Sequence, residues 1–250
     1  MQRNTMKQKL LAGAAVFGVA SSIRSATAAG VLARAGSDYV LIDCQHGEWD
    51  DAGRLDAIRA VYLQNVTPVT RVRSNDFGLI GRALDSGALG VVVPMVNTVA
   101  EASAAAYAMR YPPRGGRSFG DNLSVNLGSD YPAGANDEVF LAVQIETAQG
   151  LANVDAIMAV DGVDGCWLGP ADLALSLGVQ QGSPEHTDAI QRVLQACRRA
   201  GKIPGMFAGT TGIARRWMAE GYQFVTVSCD LSVLEGATQE ILSKLHAVSG

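Results

Sequence analysis

Lysine is nearly missing from this chain of 250 residues: Lys7, Lys9, Lys202 and Lys244 are the only four, and none follows an apolar run. Schiff-base chemistry needs an amine inside the site, so the sequence argues against that route. Histidine is as scarce, with His46, His186 and His246 alone. The four cysteines, Cys44, Cys166, Cys197 and Cys229, form no CxxC pair. Three lie within or beside apolar runs, where a free thiol packs as a small hydrophobe. A zinc framework is therefore not expected, and a reducing, cytoplasmic compartment is. No apolar run approaches the roughly 20 residues needed to span a bilayer. Net charge is −4 with scattered arginines, so the basic stripe of a nucleic-acid binder is absent. Neither GxGxxG nor a Walker loop occurs. Neither nucleic acid nor membrane is expected as a partner, which leaves a small molecule.

What is present is a repeat of short apolar runs: VFGVAS, DYVLIDC, TPVTRV, GVVVPMV, VFLAVQIE, GVDGCWLG, IPGMFA and FVTVSCD. Runs rich in β-branched residues and bounded by Gly, Pro or Asp read as strands buried on both faces. The stretches between them, such as DAGRLDAIRAVYLQN and TVAEASAAAYAMR, have helical spacing. Alternating strand and helix implies a parallel sheet, and eight units in this length imply one α/β domain over residues 1–250, a (β/α)8 TIM barrel. The opening MQRNTMKQKLLAGAAVFGVASSIRSATAA could be a signal peptide. The reading preferred is a short amphipathic start, then the first strand and the helix ATAAGVLARAG, because removing this segment would remove one unit of the repeat. Residues 112–138, rich in Gly, Asn, Ser and Asp, read as one long loop, and a final helix is expected from about Thr238 onward.

In such a barrel the working residues sit at the C-terminal ends of strands. Asp43 and His46 follow the second run, Arg71 ends the third, Gln144 and Glu146 end the fifth, Gly169 to Asp172 follow the sixth, and Asp230 ends the eighth. Strand alternation turns Gln144 and Glu146 to the same side. Glu146 and Asp172, on neighbouring walls, suit a hard divalent cation that keeps several waters, Mg²⁺ or Mn²⁺. A helix-capping role is the competing reading for Asp172. Arg71 cannot lose its charge, so it needs an anionic partner: a substrate carboxylate, an enolate oxygen, or a structural pairing with Asp43. His46 is the one histidine placed to move protons.

The strings LIDCQHGEWD, PVTRVRSND, RALDSGALGVVVPMV, RYPPRGGRSFG, QIET and GPADLALSLG, in this order, resemble the HpcH/HpaI aldolase family, from about Lys7 to about Ala237. The resemblance implies a class II, metal-dependent pyruvate aldolase on a phosphoenolpyruvate/pyruvate-type barrel. It implies a hexamer, a trimer of dimers that exchange their last helix. By position it implies Glu146 and Asp172 as metal ligands for Mg²⁺ or Mn²⁺, with Co²⁺ a further candidate, and pyruvate chelating the same ion. His46 matches the general base, with Asp43 its near neighbour and support, and Arg71 the group that stabilises enolate charge. Gln144, Gly169, Ala171 and Asp172 match substrate contacts. Asp85 matches a carboxylate supplied to the histidine by the neighbouring subunit; by itself it reads as an ordinary helix carboxylate.

The chain departs from the family at Cys44, Gln45 and Val72 to Ser74, around the mouth. The function implied is cleavage of a 4-hydroxy-2-oxo acid to pyruvate and an aldehyde. The alternatives are an oxaloacetate decarboxylase akin to macrophomate synthase, a CoA-ester lyase, or a non-catalytic keto-acid binding barrel.

Overall fold

The computed structural model describes residues 2–120 and 127–247. Eight parallel strands close a barrel in sequence order: β1 (Val16–Ser21), β2 (Tyr39–Asp43), β3 (Thr67–Arg71), β4 (Gly90–Val93), β5 (Phe140–Ile145), β6 (Gly165–Leu168), β7 (Gly205–Phe207) and β8 (Phe224–Cys229). Around it run α1 (Thr5–Leu11), α2 (Ala26–Arg34), α3 (Asp51–Tyr62), α4 (Phe77–Asp85), α5 (Val99–Met109) and α6 (Tyr131–Glu138). The outer layer continues with α7 (Ala148–Ala152), α8 (Val154–Met158), α9 (Pro170–Leu177), α10 (Pro184–Ala200), α11 (Thr211–Glu220) and α12 (Asp230–His246). All eight apolar runs are strands of one sheet, as the repeat predicts, and the opening segment supplies β1 and α2. No helix among the described residues is long and apolar enough to cross a membrane.

Two-residue periodicity divides the core in two. Val40, Ile42, Val91 and Val93 pack outward against the helices. Tyr39, Leu41, Val69, Val92, Phe140, Ala142, Trp167 and Phe224 form a separate cluster inside the barrel, closed from below by Met6 and Leu10 of α1. Large and small residues alternate across it: a Cβ on Gly18 would lie 2.4 Å from the Tyr39 ring, so only glycine fits there. Three inward columns become polar at the C-terminal ends of their strands: Tyr39, Leu41, Asp43; Val69, Arg71; and Phe140, Ala142, Gln144. Register sets these ends level, with Asp43 opposite Arg71 and Gln144 opposite Trp167.

Three of the four lysines hold the opposite end. Lys7 Nζ donates to the carbonyls of Asp137 and Val139, both at 2.8 Å, Lys9 pairs with Asp38 at 2.6 Å, and Lys202 donates to Val163 O at 2.7 Å. Lys244 pairs with Glu240 on α12.

Two boundaries differ from expectation. The stretch read as one loop over residues 112–138 contains α6, where Pro132 fits the first turn and burial of Tyr131 and Ala135 outweighs the weak propensity of YPAGANDE. The rest of that stretch includes residues 121–126, outside the described residues. The last helix starts at Asp230, not near Thr238, because Asp230 anchors it. The buried Asp230 carboxylate accepts from Ser21 Oγ at 3.2 Å, Ser22 N at 2.9 Å and Ile23 N at 3.0 Å, tying β8 to the loop after β1.

Candidate functional site

The inward columns end in a cavity of about 450 Å³ at the C-terminal mouth. It is lined by Asp43, His46, Arg71, Gln144, Gly169, Ala171 and Asp172 among others. Seven of the residues singled out in the sequence thus meet in one place, drawn from β2, β3, β5 and the turn after β6. A larger groove of about 930 Å³ lies outside the barrel beside α5 and α8. Its buried arginine, Arg110, is committed to Gly162 O at 2.6 Å and Asp164 at 3.0 Å.

Arg71 is buried and meets Asp43 in a two-point pair, Nε to Oδ1 at 2.9 Å and Nη2 to Oδ2 at 2.5 Å. The structural pairing considered for Arg71 is therefore present. Because it uses only Nε and Nη2, Nη1 stays available for a ligand. The guanidinium also lies 5.2 Å from the Trp167 ring centroid, a contact that holds a planar cation in place. Asp43 Oδ1 further accepts from the backbone amides of Gln45 at 3.0 Å and His46 at 3.3 Å. Asp43 thus shapes the turn that carries His46 through the backbone rather than through the ring. His46 itself is exposed at the mouth.

Glu146 sits behind the wall and is almost wholly buried. Met95 N donates to its Oε1 at 2.8 Å, from a residue in the left-handed region at φ 57°, and Gln144 Nε2 donates to Oε2. Burial raises the Glu146 carboxyl to about 7, opposed by the Met95 amide, with the charge of Asp172 adding to the rise. Asp172 stands in the first turn of α9 and makes no capping bond there; Gly169 is the N-cap.

These residues fit a hard divalent ion. The charge of Asp172 acts against that of Glu146, only partly offset by Arg71, and Gln144 Oε1 is a buried acceptor without a partner among the described residues. Gly169 leaves open the space where a Cβ would come within 2.8 Å of Glu146 Oε2. Among the described residues no group of three or more His, Cys, Asp or Glu side chains converges on a metal position. The protein would supply two ligands and leave the others to water and substrate oxygens, the pattern of Mg²⁺ sites.

Asp85 is not part of this cavity in its own chain. It lies at the end of α4, where it accepts from Arg117 Nη2 at 2.9 Å. Sequence reasoning missed the other half of the mouth: Ala20, Ser22, Phe207, Thr210, Ile213 and Cys229. It also missed Trp167, whose Nε1 donates to Thr226 Oγ1 at 3.0 Å. The signal for these was their position at the ends of β1, β6, β7 and β8; their apolar or small neutral character hid it.

A family model described as HpcH/HpaI aldolase/citrate lyase matches residues 17–237. A hydroxypyruvate/pyruvate aldolase of Rhizorhabdus wittichii is 42% identical over 222 residues, covering 87% of this chain and 88% of the relative. A 4-hydroxy-2-oxo-heptane-1,7-dioate aldolase of Klebsiella pneumoniae is 37% identical, covering 96% and 93%. Among solved structures, an HpcH/HpaI aldolase/citrate lyase family protein from Burkholderia cenocepacia superposes with a TM-score of 0.92 at 36% identity, covering 97% of this chain and 99% of that one.

Proposed function

Because the chain belongs to the HpcH/HpaI aldolase/citrate lyase family, whose members are divalent-metal-dependent class II aldolases, we propose that it cleaves a 4-hydroxy-2-oxo acid to pyruvate and an aldehyde, and catalyses the reverse addition. The chain is a carbon–carbon lyase. The observation that carries the reading of the site is Glu146 beside Gly169, at the wall where Asp172 lines the cavity, next to a buried arginine with one free N–H face.

Glu146 and Asp172 would hold the ion, Mg²⁺ or Mn²⁺, which when bound polarises the 2-oxo acid as a Lewis acid. Arg71 presents Nη1 to the oxygen on which charge grows as the C3 to C4 bond breaks; its two-point pairing with Asp43 keeps it oriented without reorganisation. His46 takes the 4-hydroxyl proton in cleavage and returns it in synthesis. Gln144 and the Ala171 backbone contact the pyruvyl fragment, at the wall that Gly169 keeps open. Asp85 serves His46 from a second subunit, which accounts for its distance from its own mouth.

A second copy of the chain also covers α12. Only Asp230 of that 17-residue helix is buried, while Leu231, Val233, Leu234, Ile241, Leu242 and Leu245 are exposed. An apolar face of this length in water favours burial against another chain. A homo-hexamer, built as a trimer of dimers that exchange this helix, is the assembly proposed.

Removing divalent metal from the protein should abolish both pyruvate release and exchange of pyruvate methyl protons with D₂O, and Mn²⁺ should restore both. Full activity in a verified metal-free sample would overturn the assignment.

A further inference from the structure

The mouth is divided by charge. In barrel order, β2, β3 and the turn after β6 supply the charged side chains among the described lining residues, Asp43, His46, Arg71 and Asp172, with the Glu146 carboxylate behind the wall after β5. The arc from β7 through β8 to β1 supplies Phe207, Thr210, Ile213, Cys229, Ala20 and Ser22. Among the described residues, no lysine or arginine lines that arc. The proposed pyruvate and metal contacts occupy the charged side, so the reacting aldehyde must point its substituent toward the neutral one.

Two backbone donors at the end of β1 are already engaged. The amides of Ser22 and Ile23, at the end of β1, both donate to the carboxylate of Asp230 at 2.9 and 3.0 Å. This adds a negative charge directly behind the arc. At the start of α11, Thr210 Oγ1 accepts from Ile213 N at 3.3 Å, which leaves its O–H to donate to a neutral hydroxyl or carbonyl oxygen. Arg71, the one arginine among the described lining residues, is paired with Asp43 and stacked on Trp167, and its remaining Nη1 is the group assigned to the enolate oxygen. A carboxylate or phosphate placed in the arc would lose water without gaining a cation. A hydroxyl or short alkyl group would meet Ser22, Thr210, Ile213 and Phe207.

We propose that the aldehyde partner is uncharged, a short aliphatic or hydroxylated aldehyde, and that the site discriminates against aldehydes bearing a carboxylate or phosphate. The proposal rests on the aldolase reading above. Two independent observations support it: the one-sided distribution of charge around the barrel and the prior engagement of the β1 amides by Asp230.

The test uses the full chain with added Mn²⁺ and pyruvate as donor. Addition to propanal, glycolaldehyde and glyceraldehyde is compared with addition to glyoxylate, succinic semialdehyde and glyceraldehyde 3-phosphate. Proton exchange of pyruvate in D₂O is followed in the same samples. Exchange together with kcat/KM about tenfold or more higher for the uncharged set is expected, in line with the loss when a buried polar group lacks a partner. Exchange with equal or better use of the anionic aldehydes overturns the proposal and leaves the aldolase reading standing. Absence of both exchange and addition overturns both. As a second arm, Ile213→Arg, at a partly exposed position in the first turn of α11, should narrow the ratio toward succinic semialdehyde about tenfold; an unchanged ratio counts against charge as the cause.

Discussion

Gly169 shows how much of this site depends on a single missing carbon. A Cβ there would lie 2.8 Å from Glu146 Oε2 and 2.9 Å from Gln144 Nε2, and both side chains are buried with fixed partners. Gly169→Ala should weaken Mn²⁺ binding about tenfold, or about 1.4 kcal/mol, in a titration followed by electron paramagnetic resonance. Unchanged affinity would argue against Glu146 as a ligand. His46 makes a different claim, since it stands at the open mouth rather than in the wall. His46→Ala should lower kcat for cleavage by about 10² to 10⁴ while pyruvate affinity changes little. If affinity alone falls, His46 is a binding contact. Asp43, Arg71 and Gln144 were readable from the sequence because each ends an inward column of alternating residues, where a polar side chain has no structural reason to be. Trp167 was not, because an indole in an apolar run looks like core until barrel closure puts it beside Arg71.

At the level of elements, the closure of β8 onto β1 is the place where sequence and structure part. The residues of both strands are plain in the sequence, yet the clasp is a carboxylate at the first position of α12 bonded to Ser22, 208 residues away. Asp230→Ala would leave the amides of Ser22 and Ile23 without their acceptor. Charge-assisted bonds of this kind are worth about 1.5 to 3 kcal/mol each. A loss of about 3 kcal/mol in urea denaturation is expected, and a loss below about 0.5 kcal/mol would show that the clasp is dispensable. The helix α6 hid in a segment rich in Gly, Asn and Asp because its stability comes from tertiary burial of Tyr131 and Ala135, which local propensity does not contain.

Across the whole molecule, the exposed apolar side chains of α12 are where the proposed second chain would pack. Leu234 and Ile241 are 60% and 62% exposed on the same helix. The double substitution Leu234→Arg with Ile241→Arg should shift sedimentation toward smaller species and, if Asp85 reaches His46 across subunits, lower activity with it. An unchanged assembly would remove α12 from the interface.

The eight-unit parallel barrel was legible in the sequence, as were a set of polar residues at the C-terminal strand ends and the lack of a lysine among them. These follow from periodicity and residue type, which act locally along the chain. Three facts were not legible there: Asp43 is paired with Arg71, Glu146 is buried beside Gly169, and the charged side chains among the described lining residues stand on one side of the mouth. Those facts depend on register around a closed sheet, where residues distant in sequence become neighbours, and on burial, which no residue has until the rest of the chain surrounds it.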